Sequence, residues 1–185
     1  MKRVAQTRKV LTILIPLAML LSGNGYAQSK KINSTQTENI MTTTTLTERN
    51  KEVLEVIMNR AFNERKFELL KELVSDEYVG LNGLRGAEAF QAPILQLIKG
   101  FPDAQWNIQQ IIADDRSVFV SWKLEGTHSG TWLNIPATGK KVSGAAMGVY
   151  ELKDGKVVKG QVITDRLGFL QALGVIPADV STLVK

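Results

Sequence analysis

Residues 157–174, VVKGQVITDRLGFLQALG, constrain the fold more than any other stretch, because one periodicity stops inside them and another begins. Val157, Val158, Val162 and Ile163 mark a β-strand ending at Asp165, and Leu167, Phe169, Leu170 and Leu173 then follow at helical spacing. Asp165 therefore stands where a strand ends and a helix starts. A carboxylate there can cap the helix by accepting backbone N–H bonds from its first turn. It can equally be the acid at the edge of a cavity that the helix closes.

The chain opens with Lys2, Arg3, Arg8 and Lys9, continues through an apolar run over 10–21, and reaches small residues at Gly25 and Ala27. This is the pattern of a signal peptide over 1–27, cleaved after Ala27, and it predicts a secreted or periplasmic protein. The run is too short to span a bilayer, which needs roughly 20 apolar residues, and no cysteine is present to carry a lipid. No membrane anchor is expected after cleavage. The leader holds four of the 23 basic residues and none of the 18 acidic ones, so its removal lowers the net charge from +5 to +1. The basic balance belongs to the leader and implies no nucleic-acid partner.

Without cysteine the domain has no disulfides and must stand on a hydrophobic core. Residues 28–46 are polar and rich in Ser, Thr, Asn and Lys, which predicts a disordered linker before a domain over 47–178 and a tail over 179–185. A first helix is expected from Thr47, with Val53, Val56, Ile57 and Ala61 as its apolar stripe. A short second helix follows through Phe67, Leu69, Leu70 and Leu73, then a brief strand at Tyr78 and Val79. A third helix is expected over 87–99, bent at Pro93 and stopped by Gly100 and Pro102.

From Trp106 the period changes to two, and 108–113, 118–124, 142–152 and 156–164 read as four successive antiparallel strands. Asp114, Asp115 and Arg116, the segment 136–139, and Asp154-Gly155 supply the turns. Helices, then a meandering sheet, then a short closing helix give an α+β order. A strongly curved sheet wrapped on helices leaves a conical cavity between them.

The segments GFPDA (100–104), EGTHSGTWLNIPATGKKV (125–142), LKDGKVV (152–158) and TDRLGFLQALG (164–174) resemble those of SnoaL-like polyketide cyclases, also called ester cyclases. The resemblance implies the cone of the nuclear transport factor 2-like fold: N-terminal helices on a strongly curved, mainly antiparallel sheet with a short C-terminal helix. It also implies a cofactor-free enzyme on a small hydrophobic carbonyl compound. There an acid/base aspartate, matched by Asp165, moves a proton beside a carbonyl, and the enolate closes a ring by aldol attack. Such chemistry wants a carboxylate in partly apolar surroundings, where proton transfer in both directions is feasible. Pairing through the outer face of the sheet is the family habit, and a homodimer is expected.

The chain departs from the family pattern at Lys159, Gly160 and Gln161, where Glu-His-Trp is common. It also departs at Ser121 and Glu151, where arginines are often found, and over Val79, Gly80, Leu81 and Asn82, where a histidine is frequent. His128 is the only histidine, which excludes a multi-histidine metal site, and no metal is expected. Within GTHSG it can assist proton transfer or pin the strand bend. Strand alternation puts Gln161, Ile163 and Asp165 on one face, so Gln161 is a candidate for orienting a carbonyl. Trp122, Trp132, Met147, Tyr150, Phe62 and Asn82 complete the candidate substrate-binding set, although aromatics fill plain cores as readily.

Three functions remain open: proton-transfer enzyme, small-ligand binding module without turnover, and dimerising interaction domain. The leader itself gives a direct test. N-terminal sequencing of the exported protein should start at Gln28, and an intact Met1 would contradict export by cleavage.

Overall fold

The computed structural model describes residues 34–81 and 83–183, with side chains described from Thr45 onward. The signal peptide expected over 1–27 lies outside the described residues, as does Asn82. Helix α1 spans Ser34–Val56 and so begins well before Thr47, inside the stretch expected to be a disordered linker. Its sequence there contains neither Gly nor Pro. The backbone can therefore keep its i to i−4 bonds through a Thr-rich run, since β-branched residues weaken a helix without breaking it.

The helix widens into a π-wound segment, Ile57–Asn63, whose Ile57, Met58, Ala61 and Phe62 are buried. Asn63 ends it by imitating a strand neighbour. Its Nδ2 donates to the Trp106 carbonyl at 3.0 Å, and its Oδ1 accepts the Trp106 N–H at 2.7 Å. Asn50, 2 % exposed in α1, donates to the Asp114 carbonyl at 3.1 Å and so ties the helix to the first sheet turn. These two asparagines dock α1 onto the sheet by satisfying backbone groups that would otherwise be buried unpaired.

A 3-10 turn at Phe67–Leu69 leads into the short α2, Leu70–Leu73. Val79 and Arg85 then bridge across a tight turn. Helix α3, Gly86–Gly100, runs through Pro93 without interruption and buries Ala89 and Phe90. No helix among the described residues is long and apolar enough to cross a membrane.

The sheet is a four-stranded antiparallel meander of β1 (Gln105–Ala113), β2 (Ser117–Thr127), β3 (Lys141–Lys153) and β4 (Lys156–Thr164). All four expected strands are present, each in place. Register slips at Ile108/Gln110 and Glu151/Leu152 bend it, because an extra residue in one strand raises the local twist. Asp154 (φ 53°) and Gly155 (φ 75°) make the tight β3–β4 turn, the left-handed pair that a two-residue hairpin needs.

Pairing sets the faces. Val118 opposes Tyr150, which opposes Gly160, and Trp122 opposes Ala146, which opposes Thr164; this row faces the helices. Ser121 opposes Met147, which opposes Ile163, and Phe119 opposes Val149, which opposes Gln161; these face away. Helix α4, Arg166–Leu173, buries Phe169 and Leu173 across one end and stops at Gly174 in the left-handed region (φ 77°).

Aromatic rings occupy the space between helices and sheet. Phe62 lies 6.1 Å from Phe90 and 5.4 Å from Trp106, Tyr78 lies 5.2 Å from Phe90, and Phe90 lies 6.0 Å from Tyr150. Two glycines make room for the Tyr150 ring. A Cβ on Gly148 or Gly160 would come within 2.9 or 2.8 Å of it, closer than a real contact allows. Burial pushes the Tyr150 phenol well above its ordinary range, with Tyr78 adding to the shift, and burial raises Tyr78 as well. Both therefore stay neutral donors at any physiological pH.

Candidate functional site

Asp165 caps α4. Its Oδ1 accepts the Gly168 N–H at 2.9 Å, and its own N–H donates to the Ala145 carbonyl at 3.1 Å. The carboxylate lies so close over the first helical turn that a Cβ on Gly168 would meet Oδ2 at 2.3 Å. The Asp-x-Leu-Gly spacing fits this contact: a side chain at the fourth residue would make the carboxylate shift from its present position. Oδ2 accepts no hydrogen bond among the described residues, and the side chain is exposed.

Asp165 is also one of the residues that line an open cup of about 370 Å³, with Gln109, Ser121, Trp122, Ala145, Ala146, Met147, Ile163 and Thr164. Ser121, Met147 and Ile163 belong to the face turned away from the helices, and Trp122, Ala146 and Thr164 to the row that faces them, so the cup takes residues from both faces of the sheet. Ser121, Met147 and Ile163 form one row across β2, β3 and β4, and Ala145 stands two residues before Met147 on β3. The β1 irregularity adds Gln109, whose Nε2 donates to the Asn107 carbonyl at 3.0 Å.

Four of the residues singled out from the sequence meet here: Asp165, Ile163, Met147 and Trp122. Gln161 shares their face but lies beyond Ile163, opposite Val149 and outside the lining. Phe62 and Tyr150 belong to the aromatic interior. Trp132 packs edge-on to Phe101 at 5.8 Å and Phe169 at 5.4 Å, away from the cup. Gln109, Ser121, Ala145 and Thr164 were not anticipated as site residues. Alternation could have signalled Ala145, which stands two residues before Met147.

His128 is fully buried, stacked on Phe101 at 4.8 Å. Its Nδ1 accepts the Thr138 N–H at 3.3 Å and lies 3.1 Å from Thr138 Oγ1, which leaves the ring proton on Nε2. Nε2 has no partner among the described residues. Three motifs converge on this ring. Asp103 of GFPDA accepts the Thr127 N–H at 2.7 Å, and that bond holds its carboxyl below the usual range. Ser129 and Gly130 of GTHSG both donate to the Gly100 carbonyl at 3.0 Å. Thr138 and Gly139 (φ 69°) of the Pro-x-Thr-Gly turn close the loop. A Cβ on Gly130 would sit 2.0 Å from the Lys99 carbonyl oxygen, so this crossing requires glycine.

Among the described residues no three His, Cys, Asp or Glu side chains converge as metal ligands would. On the inward side, β4 presents Gly160, Val162 and Thr164, with no carboxylate. The charged group of this strand end is Asp165, on the cup.

A family model for the SnoaL-like polyketide cyclase matches residues 52–173. The chain belongs to this family. It is 30% identical over 125 residues to the aklanonic acid methyl ester cyclases DauD of Streptomyces sp. (strain C5) and DnrD of Streptomyces peucetius. Those alignments cover 63% of this chain and 77% and 86% of the two relatives. Among solved structures, IdmH from Streptomyces antibioticus superposes with a TM-score of 0.60 at 23% identity, covering 68% of this chain and 98% of that one. TsrD from Streptomyces laurentii gives 0.64 at 22% identity, covering 70% and 97%. These likenesses establish the cone fold expected from the sequence.

Gly168→Ala separates the local account from helix propensity. Alanine normally stabilises a helix over glycine by about 0.5–1 kcal/mol. Here the new Cβ should displace the carboxylate and weaken the cap, a loss of about 1 kcal/mol. The two terms offset, so urea unfolding should show a midpoint close to wild type, and a midpoint raised by the full helix-propensity gain would contradict the contact.

Proposed function

We propose that this SnoaL-like protein carries out metal-free and cofactor-free acid/base chemistry, an aldol-type ring closure or isomerisation, on a small hydrophobic carbonyl compound, with Asp165 as the proton carrier. The observation that carries the reading is the exposed Asp165 carboxylate in the lining of the cup, with Oδ1 held by the Gly168 N–H and Oδ2 without a hydrogen-bond partner among the described residues. Oδ2 takes the proton from carbon next to a carbonyl, and the electron pair passes to an enolate. The enolate carbon attacks a second carbonyl of the same molecule, forming the C–C bond. The resulting alkoxide takes the proton back from Asp165, so nothing is gained or lost overall. The Ser121 hydroxyl and the Gln109 amide stand in the same cup and can donate to the substrate oxygens.

The two curated relatives are named for a methyl ester substrate, aklanonic acid methyl ester, which makes that compound the first to assay. We extend the proposal to location: the leader directs the chain to a secreted or periplasmic site, where it works as a homodimer without nucleic acid or membrane anchor. His128, stacked beneath Phe101, fits best as the pin of the β2–β3 connection.

One observation favours a second reading, ligand binding without turnover. The inward face of β4 holds Gly160 and Val162 and no acid, so a molecule held on that side would meet no proton carrier there.

Asp165→Asn tells the two apart. Asparagine caps about as well as aspartate but accepts no proton at neutral pH. With aklanonic acid methyl ester or another cyclisable ester, turnover should fall about 10²-fold or more while the melting temperature stays near wild type. Equal turnover in both proteins would remove Asp165 from the chemistry.

A further inference from the structure

The buried imidazole of His128 is joined to α4 by two routes. The first is a group of rings. His128 lies 4.8 Å from Phe101 with the planes 23° apart, Phe101 lies 5.3 Å from Phe169 of α4, and Trp132 of the β2–β3 connection closes the group at 5.4 Å from Phe169. Gly144 of β3 leaves the space that Phe169 fills, since a Cβ there would come within 2.8 Å of its ring. The second route is Lys140. Its carbonyl accepts the His128 N–H at 2.9 Å, and its Nζ reaches the end of α4, where a Cβ on Gly174 would stand 2.3 Å from it. A cation there is favoured by the partial negative charge of a helix C-terminus. Both routes end on the helix whose first turn is capped by Asp165.

The hydrogen bonds of the ring fit its neutral form alone. Nδ1 accepts the Thr138 N–H at 3.3 Å, whereas an imidazolium donates from both nitrogens. Protonation would set two N–H groups against each other and leave a charge at 0% exposure with Nε2 still unpartnered. An unpaired buried charge is costly, so the ring gains by moving toward water. The surrounding elements offer no rescue. They carry Lys99 on α3, Asp103 before β1, Glu125 on β2, Lys140 and Lys141 leading into β3, and Asp165 and Arg166 at the start of α4. None of these bonds to the ring among the described residues. Asp103 is already engaged by the Thr127 N–H, and Glu125 by Asn107 and Lys123.

Resting on the acid/base reading above, we propose that His128 is a positioning residue for Asp165: its neutral ring holds the β2–β3 connection against α4, and protonation of the ring loosens both, so that acid displaces the carboxylate from its place. The proton is taken up at Nδ1, and the bond lost is the one from the Thr138 N–H. His128 touches neither the cup nor a substrate there; it acts through Phe101, Trp132 and Lys140.

Proton and nitrogen NMR of the full chain, made without an affinity tag so that His128 stays its only histidine, tests this from about pH 8 to about pH 5, the range in which a histidine changes charge. Three signals are followed: the His128 ring C–H, the Thr138 N–H, and the Gly168 N–H that bonds to Asp165. All three should move on one midpoint. In Asp165→Asn, where no carboxyl titrates beneath Gly168, the Gly168 step should remain. In His128→Asn it should be lost, because the asparagine Oδ1 can accept from Thr138 but takes up no proton in this range. A Gly168 signal that ignores the His128 midpoint in wild type overturns the proposal without any variant, as does a Thr138 N–H that stays fixed while the ring titrates. A Gly168 step with the same midpoint in folded His128→Asn overturns it too. Turnover is read separately: if Gly168 follows His128 while Asp165→Asn keeps full turnover, the acid/base reading fails and the coupling stands.

Discussion

Everything about this molecule's chemistry depends on the pairing of Tyr150 with Gly160. That one cross-strand match decides the parity of β4. Gly160, Val162 and Thr164 turn toward the helices, and Gln161, Ile163 and Asp165 turn away. A slip by one residue would exchange the two sets, because the side-chain period of a strand is two. The match is held by volume as well as by backbone bonds. The Tyr150 ring lies where side chains at 148 and 160 would be, so only glycines at both positions admit it.

From that register the division of labour follows. The inner side is a packed aromatic core in which the phenols of Tyr78 and Tyr150 are desolvated and neutral. The outer side has Met147, Val149 and Ile163 exposed, while on the inner side Val162 is exposed as well, at the open end of the sheet near Asp165. The motifs most visible in the sequence serve the other end of the structure, where His128, Phe101, Asp103, Thr138 and Gly130 lock the β2–β3 connection to the end of α3. The crossing at Gly100 and Gly130 there leaves no room for a Cβ.

The sequence made much of this legible. Alternation located all four strands, the change of period at Asp165 located both the cap and α4, and the grouping of Gln161 with Ile163 and Asp165 agrees with the pairing. It did not reveal which side the helices would cover, since Val162 and Ile163 are both apolar and either could have faced the core. The cup was illegible for a related reason. Its lining takes Gln109 from the irregularity in β1 and Ser121 and Ala145 from two neighbouring strands, and none of these carries a periodic apolar signal. The early start of α1 was missed because composition marks Ser and Thr as linker-like, while the absence of Gly and Pro lets a helix continue.

The central claim is that small molecules are received on the outer face beside Asp165. Methyl NMR of the protein titrated with an aromatic ketone tests it most directly, because Ile163 and Met147 report the outer side and Val162 and Val120 the inner. The account predicts saturable shifts at Ile163 and Met147 with Val162 and Val120 unmoved. Shifts confined to Val162 and Val120 would place the ligand between sheet and helices and contradict it.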